Sequence, residues 1–224
     1  VTPSIAGQAR DAQSVAEHAT GHVLSLNGAS AYFVRQAWLW IEAHPAAALG
    51  LFARKVWYVW NSDFLPLTHS FPYYVWDEVN LLRLLAVGPW LLLPLGLFGL
   101  LLPAAPWKDP AYRIIVIYAV TYSLSVAVFF VSARYRAPLL VPLSMSGAFA
   151  IHWLATRWRA RPARGAAWAV LGLAGLGVVT NLPTGLDDGR SEERTAMLLW
   201  LVDNGREDEA LRRLPAVEAD HPDP

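Results

Sequence analysis

The chain contains no cysteine among its 224 residues, so neither a disulfide nor a thiolate metal site contributes to its fold or chemistry. Charge is scarce too. Only 16% of residues are charged, 55% are hydrophobic and the mean hydropathy is +0.31, which excludes an ordinary water-soluble globule. No Gly-rich phosphate loop follows a strand, no His-Glu-x-x-His is present and no Gly-x-Ser-x-Gly elbow appears. The common local signatures of nucleotide, zinc-protease and hydrolase chemistry are therefore missing. No basic leader with an apolar run and a small-residue cleavage site opens the chain at Val1; the expectation is a removed signal or part of a longer chain.

What is present is apolar sequence gathered into four stretches, which makes lipid the relevant solvent for the middle of the chain. The predicted spans are 83–103, 112–132, 138–156 and 166–182. Pro89 and Pro94 fall in the first and are tolerated where neighbouring helices satisfy a broken ladder. The third carries Ser144, Ser146, Gly147 and Ala148, a small-residue surface suited to close helix contact. Gly172, Gly175 and Gly177 allow the short fourth span either tight packing or a thin local bilayer, and Pro183 stops it.

Before the spans, the pattern predicts a helix over 11–20 ended by Gly21, a turn at Asn27-Gly28, and a helix capped by Ser30 that runs through Glu42. Pro45 begins a segment over 45–60 that places Arg54-Lys55 just before Trp57, Tyr58 and Trp60. Sixteen residues with two adjacent charges read as an amphipathic helix at the lipid headgroups. An ordered interfacial loop over 61–80 follows. Trp57, Trp60, Tyr73, Tyr74 and Trp76 are candidate interface anchors in an aromatic belt.

Formal charge is balanced overall but divided along the chain. Residues 1–183 carry 13 basic against 7 acidic side chains, and residues 184–224 carry 5 against 11. Arg157, Arg159, Arg161 and Arg164 crowd the turn between the third and fourth spans, where they set topology and touch anionic lipid. By the positive-inside rule that turn is cytoplasmic, which sends the N-terminal region and the acidic tail to the other side. The Arg cluster is too short and too close to the membrane for a nucleic-acid patch.

Asp63, His69, Asp77 and Glu78 are the one group that resembles a catalytic or metal cluster, but their spacing in a loop matches no ligand pattern, and caps or interfacial charges explain them. Arg134 and Arg136 flank Tyr135 at the mouth of the third span. The three are candidate contacts to a lipid or a phosphate, since guanidinium offers a planar pair of donors, and snorkelling anchors are the alternative. His152 reads as a hydrogen-bonded or wetted residue near a membrane end and not as a cofactor ligand.

The run FFVSARYRAPLLVPL, residues 129–143, resembles the late transmembrane segment of bacterial GT-C glycosyltransferases of the family 39 type. These are polyprenyl-phosphate-sugar-dependent enzymes related to protein mannosyltransferases. The segment from Tyr32 to Trp60, with Pro45 and Arg54-Lys55, is similar to the helix pair before the last spans of that group. The resemblance implies acidic catalytic residues in an early extracytoplasmic loop of a longer chain, and nothing here corresponds to that loop. It therefore implies a non-catalytic C-terminal membrane module. Residues 191–224 form one 34-residue unit in which Gly205, Ala210, Leu214 and Pro222 resemble a tetratricopeptide repeat. The expected hairpin has helices over 192–203 and 207–218, with Leu198, Leu201, Ala210, Leu211 and Leu214 facing one another.

The sequence thus predicts an all-α, polytopic integral membrane protein of the bacterial inner membrane. It has an extracytoplasmic, interfacial region (1–80), a four-span bundle (81–183) and an acidic helical hairpin (184–224). No cofactor and no metal are called for. The expected partners are membrane lipids and either other integral membrane subunits or the missing N-terminal part of a larger chain, but no nucleic acid. An accessory subunit of a larger membrane complex is the alternative to the glycosyltransferase-like module.

Overall fold

The computed structural model describes residues 5–67, 69–84, 87–102, 105–160 and 165–220, all of which are helix, turn or irregular chain. The chain forms two compact units, 1–53 and 54–224. In the first, α1 (Ile5–Thr20) packs on α2 (Leu26–Ala43). The Glu17 carboxylate links them by accepting from the Leu24 amide at 2.9 Å and from Gln13 Nε2 at 3.1 Å. Gly21, at φ 71°, ends α1 in the left-handed region as expected. The expected turn at Asn27-Gly28 and cap at Ser30 are overturned. Ser25 is the cap, with its Oγ accepting from the Gly28 amide at 3.1 Å, and Asn27-Gly28 lie in the first turn of α2. A proline that lacks an amide donor starts α3 (Pro45–Val59) without loss. The boundary between the two units falls within α3.

The second unit begins at Arg54. After α3 the chain makes an ordered loop that holds the short α4 (Phe71–Tyr73) and a single π turn (Tyr74–Glu78). A 3₁₀ turn (Asn80–Leu84) comes before α5 (Pro89–Leu101). Pro89 opens α5 rather than breaking a longer helix, so the regular α-helix of the first expected span starts six residues late. The others are α6 (Pro110–Val128), α7 (Ala133–Arg136) with its 3₁₀ continuation into α8 (Leu140–Ala160), and α9 (Gly165–Thr180). The third span begins at Ala133, five residues before the expected 138, because Ser132 takes the cap position and Arg136 is held inward.

Leu81–Leu101, Pro110–Val128 and Ala133–Arg157 are long and apolar enough to cross a membrane, and Ala167–Thr180 is a shorter apolar helix. At 1.5 Å per residue the 16 residues of α9 reach about 24 Å, short of a typical hydrocarbon core.

The core of the bundle is the α5–α8 contact, the most extensive helix pairing among the described residues. A Cβ on Gly96 would lie 2.8 Å from Leu143 Cβ and 2.9 Å from its Cα, and one on Gly99 would collide with the Ser146 carbonyl. The backbones meet because these positions carry no side chain. Ser146 Oγ donates across the contact to the Gly96 carbonyl at 2.9 Å. Leu143, Ser146, Gly147 and Ala150 share the buried face at helical spacing, whereas Ser144 and Ala148 are exposed. The small-residue surface is thus half of the one expected. A Cβ on Gly175 or Gly177 would meet nothing within 4 Å, so neither glycine is required by tight packing, while one on Gly172 would stand 3.6 Å from Phe98.

The tail forms α10 (Arg190–Asp203) and α11 (Glu207–Asp220), close to the expected hairpin. Gly205, at φ 69°, makes the turn. Its amide donates to Val202 and that of Arg206 to Leu201, the paired bonds of a glycine-terminated helix. Leu201 and Ala210 are buried between the helices, with Leu198 and Leu214 half-buried. Leu211 is exposed, contrary to expectation, because it sits about 100° around α11 from Ala210.

Candidate functional site

Arg136 decides the geometry of the loop. Its side chain is directed inward, where Nη1 donates to the Tyr58 carbonyl at 2.9 Å and also to that of Asn61, and Nη2 donates to that of Asp63. The end of α3 therefore closes on one guanidinium fork. Arg136 was expected to meet a lipid or phosphate, but backbone carbonyls take up three of its five N–H donors. Arg134 and Tyr135, its neighbours, are exposed. Tyr135 accepts through its carbonyl from the Tyr122 hydroxyl at 3.0 Å.

Asn61 carries no sequence signal beyond following a helix, yet it is wholly buried and central. Its Nδ2 donates to the Leu182 carbonyl at 2.7 Å, and its Oδ1 accepts from the Asp63 amide at 2.7 Å. The Ser62 amide donates to the Thr180 carbonyl at 2.7 Å. Asp63 Oδ2 accepts from the Thr184 amide at 2.6 Å and from its hydroxyl at 2.8 Å. These bonds fasten the end of α9 to the start of the loop.

Further along, the loop receives the tail. The Ser70 amide donates to Glu193 Oε1 at 2.9 Å, the Ser70 hydroxyl donates to the Asp188 carbonyl at 2.7 Å, and His69 Nδ1 lies 3.2 Å from Glu193. Arg194 bridges Asp77 and Asp220, with Nη2 donating to Asp77 Oδ1 at 3.1 Å and Nη1 to the two Asp220 oxygens at 2.9 and 2.8 Å. Arg213 pairs with Glu78, and the buried Tyr73 hydroxyl donates to the same carboxylate. The hydrogen bond from Arg213, reinforced by that of Tyr73, holds the Glu78 carboxyl below the usual carboxylate range. Burial first, and the hydrogen bond to Glu78 second, push the Tyr73 phenol up. Asp77 raises Arg194 and Glu78 raises Arg213 through direct hydrogen bonds.

Asp63, His69, Asp77 and Glu78 thus do not converge on one point; each reaches a different part of the chain from 184 onward. Among the described residues no group of three or more His, Asp or Glu could hold a metal ion. Tyr73 is buried in the junction instead of facing outward as an anchor. Tyr74, Trp57 and Trp60 are half-buried, and Trp76 is exposed under the Arg83 guanidinium, 4.8 Å from its ring. Arg157 is exposed and Arg159 lies in the last turn of α8. Arg161 and Arg164 fall outside the described residues.

No family model, no curated protein and no solved structure matches this chain.

An apolar cavity of about 420 Å³ lies beneath the loop. Phe71, Pro72, Val75 and Trp76 form the loop side, while Trp90, Leu93, Leu139 and Leu143 form the helix side. Asn61, Ser62 and Arg136 supply its polar edge. Among the described residues the lining contains no carboxylate. Such a cavity suits a hydrocarbon chain, because it offers apolar area while Arg136 at its edge already donates to backbone carbonyls. Sequence reasoning missed the cavity and most of the tail's contact residues, Glu193, Arg194 and Arg213 among them, because their partners lie more than 100 residues away.

Proposed function

We propose that the chain is a non-catalytic membrane module that shelters the hydrocarbon chain of a lipid beneath its 61–78 loop. It forms the C-terminal part of a polyprenyl-phosphate-sugar-dependent glycosyltransferase-like protein of the bacterial inner membrane. The observation that carries this reading is the apolar cavity, walled by Phe71, Val75, Trp90 and Leu143 and, among the described residues, free of lining carboxylates. Sugar transfer from a polyprenyl phosphate needs a base for the acceptor or a carboxylate-held metal for the leaving phosphate. Asp63, Asp77 and Glu78 are held by Thr184, Arg194 and Arg213. By the positive-inside rule the four-Arg turn supports a periplasmic loop and tail.

A chain-labelled photoreactive polyprenyl lipid tests the site. It should cross-link to the loop and α5 in the wild type and fail to do so in Val75→Trp, which fills the cavity. A panel of labelled lipid-linked sugars, with and without divalent metal, should give no turnover. Turnover abolished by Asp63→Asn or Asp77→Asn would overturn the non-catalytic reading. Orientation is tested by cysteine scanning on this cysteine-free background: Asp208→Cys should react with an impermeant maleimide in intact cells and Ala160→Cys should not.

A second reading, an accessory subunit of a larger membrane complex, is favoured by the exposed Leu199, Trp200 and Leu211 of the hairpin. They leave apolar area outside the spans for a protein partner.

A further inference from the structure

A second cleft, away from the loop cavity, lies where α6 ends. Tyr122, Ser125, Val126, Phe129, Phe130 and Tyr135 enclose about 400 Å³ there. Both hydroxyls on the α6 side are turned to carbonyls, Tyr122 to Tyr135 at 3.0 Å and Ser125 to Thr121 at 2.9 Å. The remaining lining is hydrocarbon and aromatic ring, and Phe129 and Phe130 are exposed. The cleft sits at the terminus of a candidate membrane span, the depth at which lipid chains give way to headgroups.

Cations gather at this end of the helix. Lys55 Nζ lies 3.4 Å from the carbonyl of the lining residue Phe129, and Arg54 precedes it on α3, exposed. Arg134 is exposed beside the lining residue Tyr135, and among the described residues its side chain has no hydrogen-bond or ion-pair partner. No acidic residue occurs over 43–62 or over 110–186. The positive charge at the rim is therefore not neutralised by nearby sequence. An apolar cleft at headgroup depth with unpaired cations beside it is complementary to a lipid of net negative charge.

We propose that this cleft binds an anionic phospholipid, one acyl chain lying between Tyr122, Val126 and Phe130 and the headgroup phosphate meeting Arg134 and Lys55. A zwitterionic lipid of the same chain length fills the cleft equally well but lacks the net charge that the two cations select. The site is separate from the loop cavity and does not depend on the function proposed for it.

The test uses the full chain, delipidated in detergent and offered phosphatidylglycerol and phosphatidylcholine of identical acyl chains, with retained lipid counted by native mass spectrometry. Phosphatidylglycerol should be retained preferentially. The preference should fall about fivefold for each cation removed in Lys55→Gln and Arg134→Gln. Arg113→Gln, at the opposite end of α6, should leave it unchanged, as should Val75→Trp in the loop cavity. Equal retention of the two lipids by the wild type, or undiminished preference in the double variant, would overturn the proposal. Should the double variant lose its helical circular dichroism, photoreactive phosphatidylglycerol on the wild type gives an independent answer. Adducts within 122–135 support the site, and adducts only elsewhere refute it.

Discussion

The α5–α8 contact and the loop–tail junction are both long-range associations within one chain, yet they are built from opposite materials. The helices meet through absence: Gly96 and Gly99 leave room for the backbone at Leu143 and Ser146, and one hydroxyl bond crosses the contact. The tail meets the loop through charge. Arg194 and Arg213 are each held by carboxylates from different segments, and Glu193 holds the Ser70 amide. The contrast follows from solvent. In lipid, apolar area drives no association between helices, so close packing and a few hydrogen bonds must suffice. In water, carboxylates and guanidiniums remain ionised, and half-buried pairs gain from geometry that several partners enforce.

The contrast breaks first at Gly99. Gly99→Val forces a side chain into the Ser146 backbone and should cost about 3 kcal/mol or more, read as a lowered melting temperature in detergent. Gly175→Val, with nothing within 4 Å, should change little. Next in size is Arg136→Met, which deprives the Tyr58, Asn61 and Asp63 carbonyls of their shared donor and should cost about 2–3 kcal/mol, with loosening of the loop seen by hydrogen exchange.

Acid should separate the two regions. Glu78 titrates below the ordinary carboxylate range in the folded chain, so its contribution is present above the unfolded value and is lost as pH falls through the depressed folded one. Spin labels at Leu67→Cys and Leu199→Cys should give a narrow distance distribution at neutral pH. It should broaden once pH drops below the usual glutamate range, while the helix content of the spans stays constant. The smallest contrast lies inside the hairpin: Ala210→Asp should cost about 1–3 kcal/mol, and Leu211→Asp, already exposed, less than about 0.5 kcal/mol.

These regions were unequally legible. Hydropathy and turn residues located the apolar helices and the Gly205 hairpin, because both signals are local. Pro89 misled, since a proline reads the same whether it interrupts a span or opens a helix, and only the 3₁₀ turn over Asn80–Leu84 distinguishes the two. Ser144 and Ser146 are chemically alike, and their different faces depend on where α5 lies. Arg136 followed the pattern of a snorkelling anchor because nothing near it in sequence announces the three carbonyls of 58–63. The loop acids read as caps and interfacial charges. Asp63 instead accepts from Thr184 in irregular chain, where no helix starts, and Asp77 and Glu78 pair with arginines 117 and 135 positions away, beyond any periodicity or motif.

The hairpin is joined to the rest of its unit through the acids of the loop, Asp77 to Arg194 and Glu78 to Arg213. Hydrogen–deuterium exchange on the intact chain in micelles, comparing wild type with the Asp77→Asn, Glu78→Gln variant, tests it most directly. The account predicts that protection falls together over 69–78 and 190–220 while Pro110–Val128 is unaffected. Unchanged protection of 190–220 in that variant would contradict it.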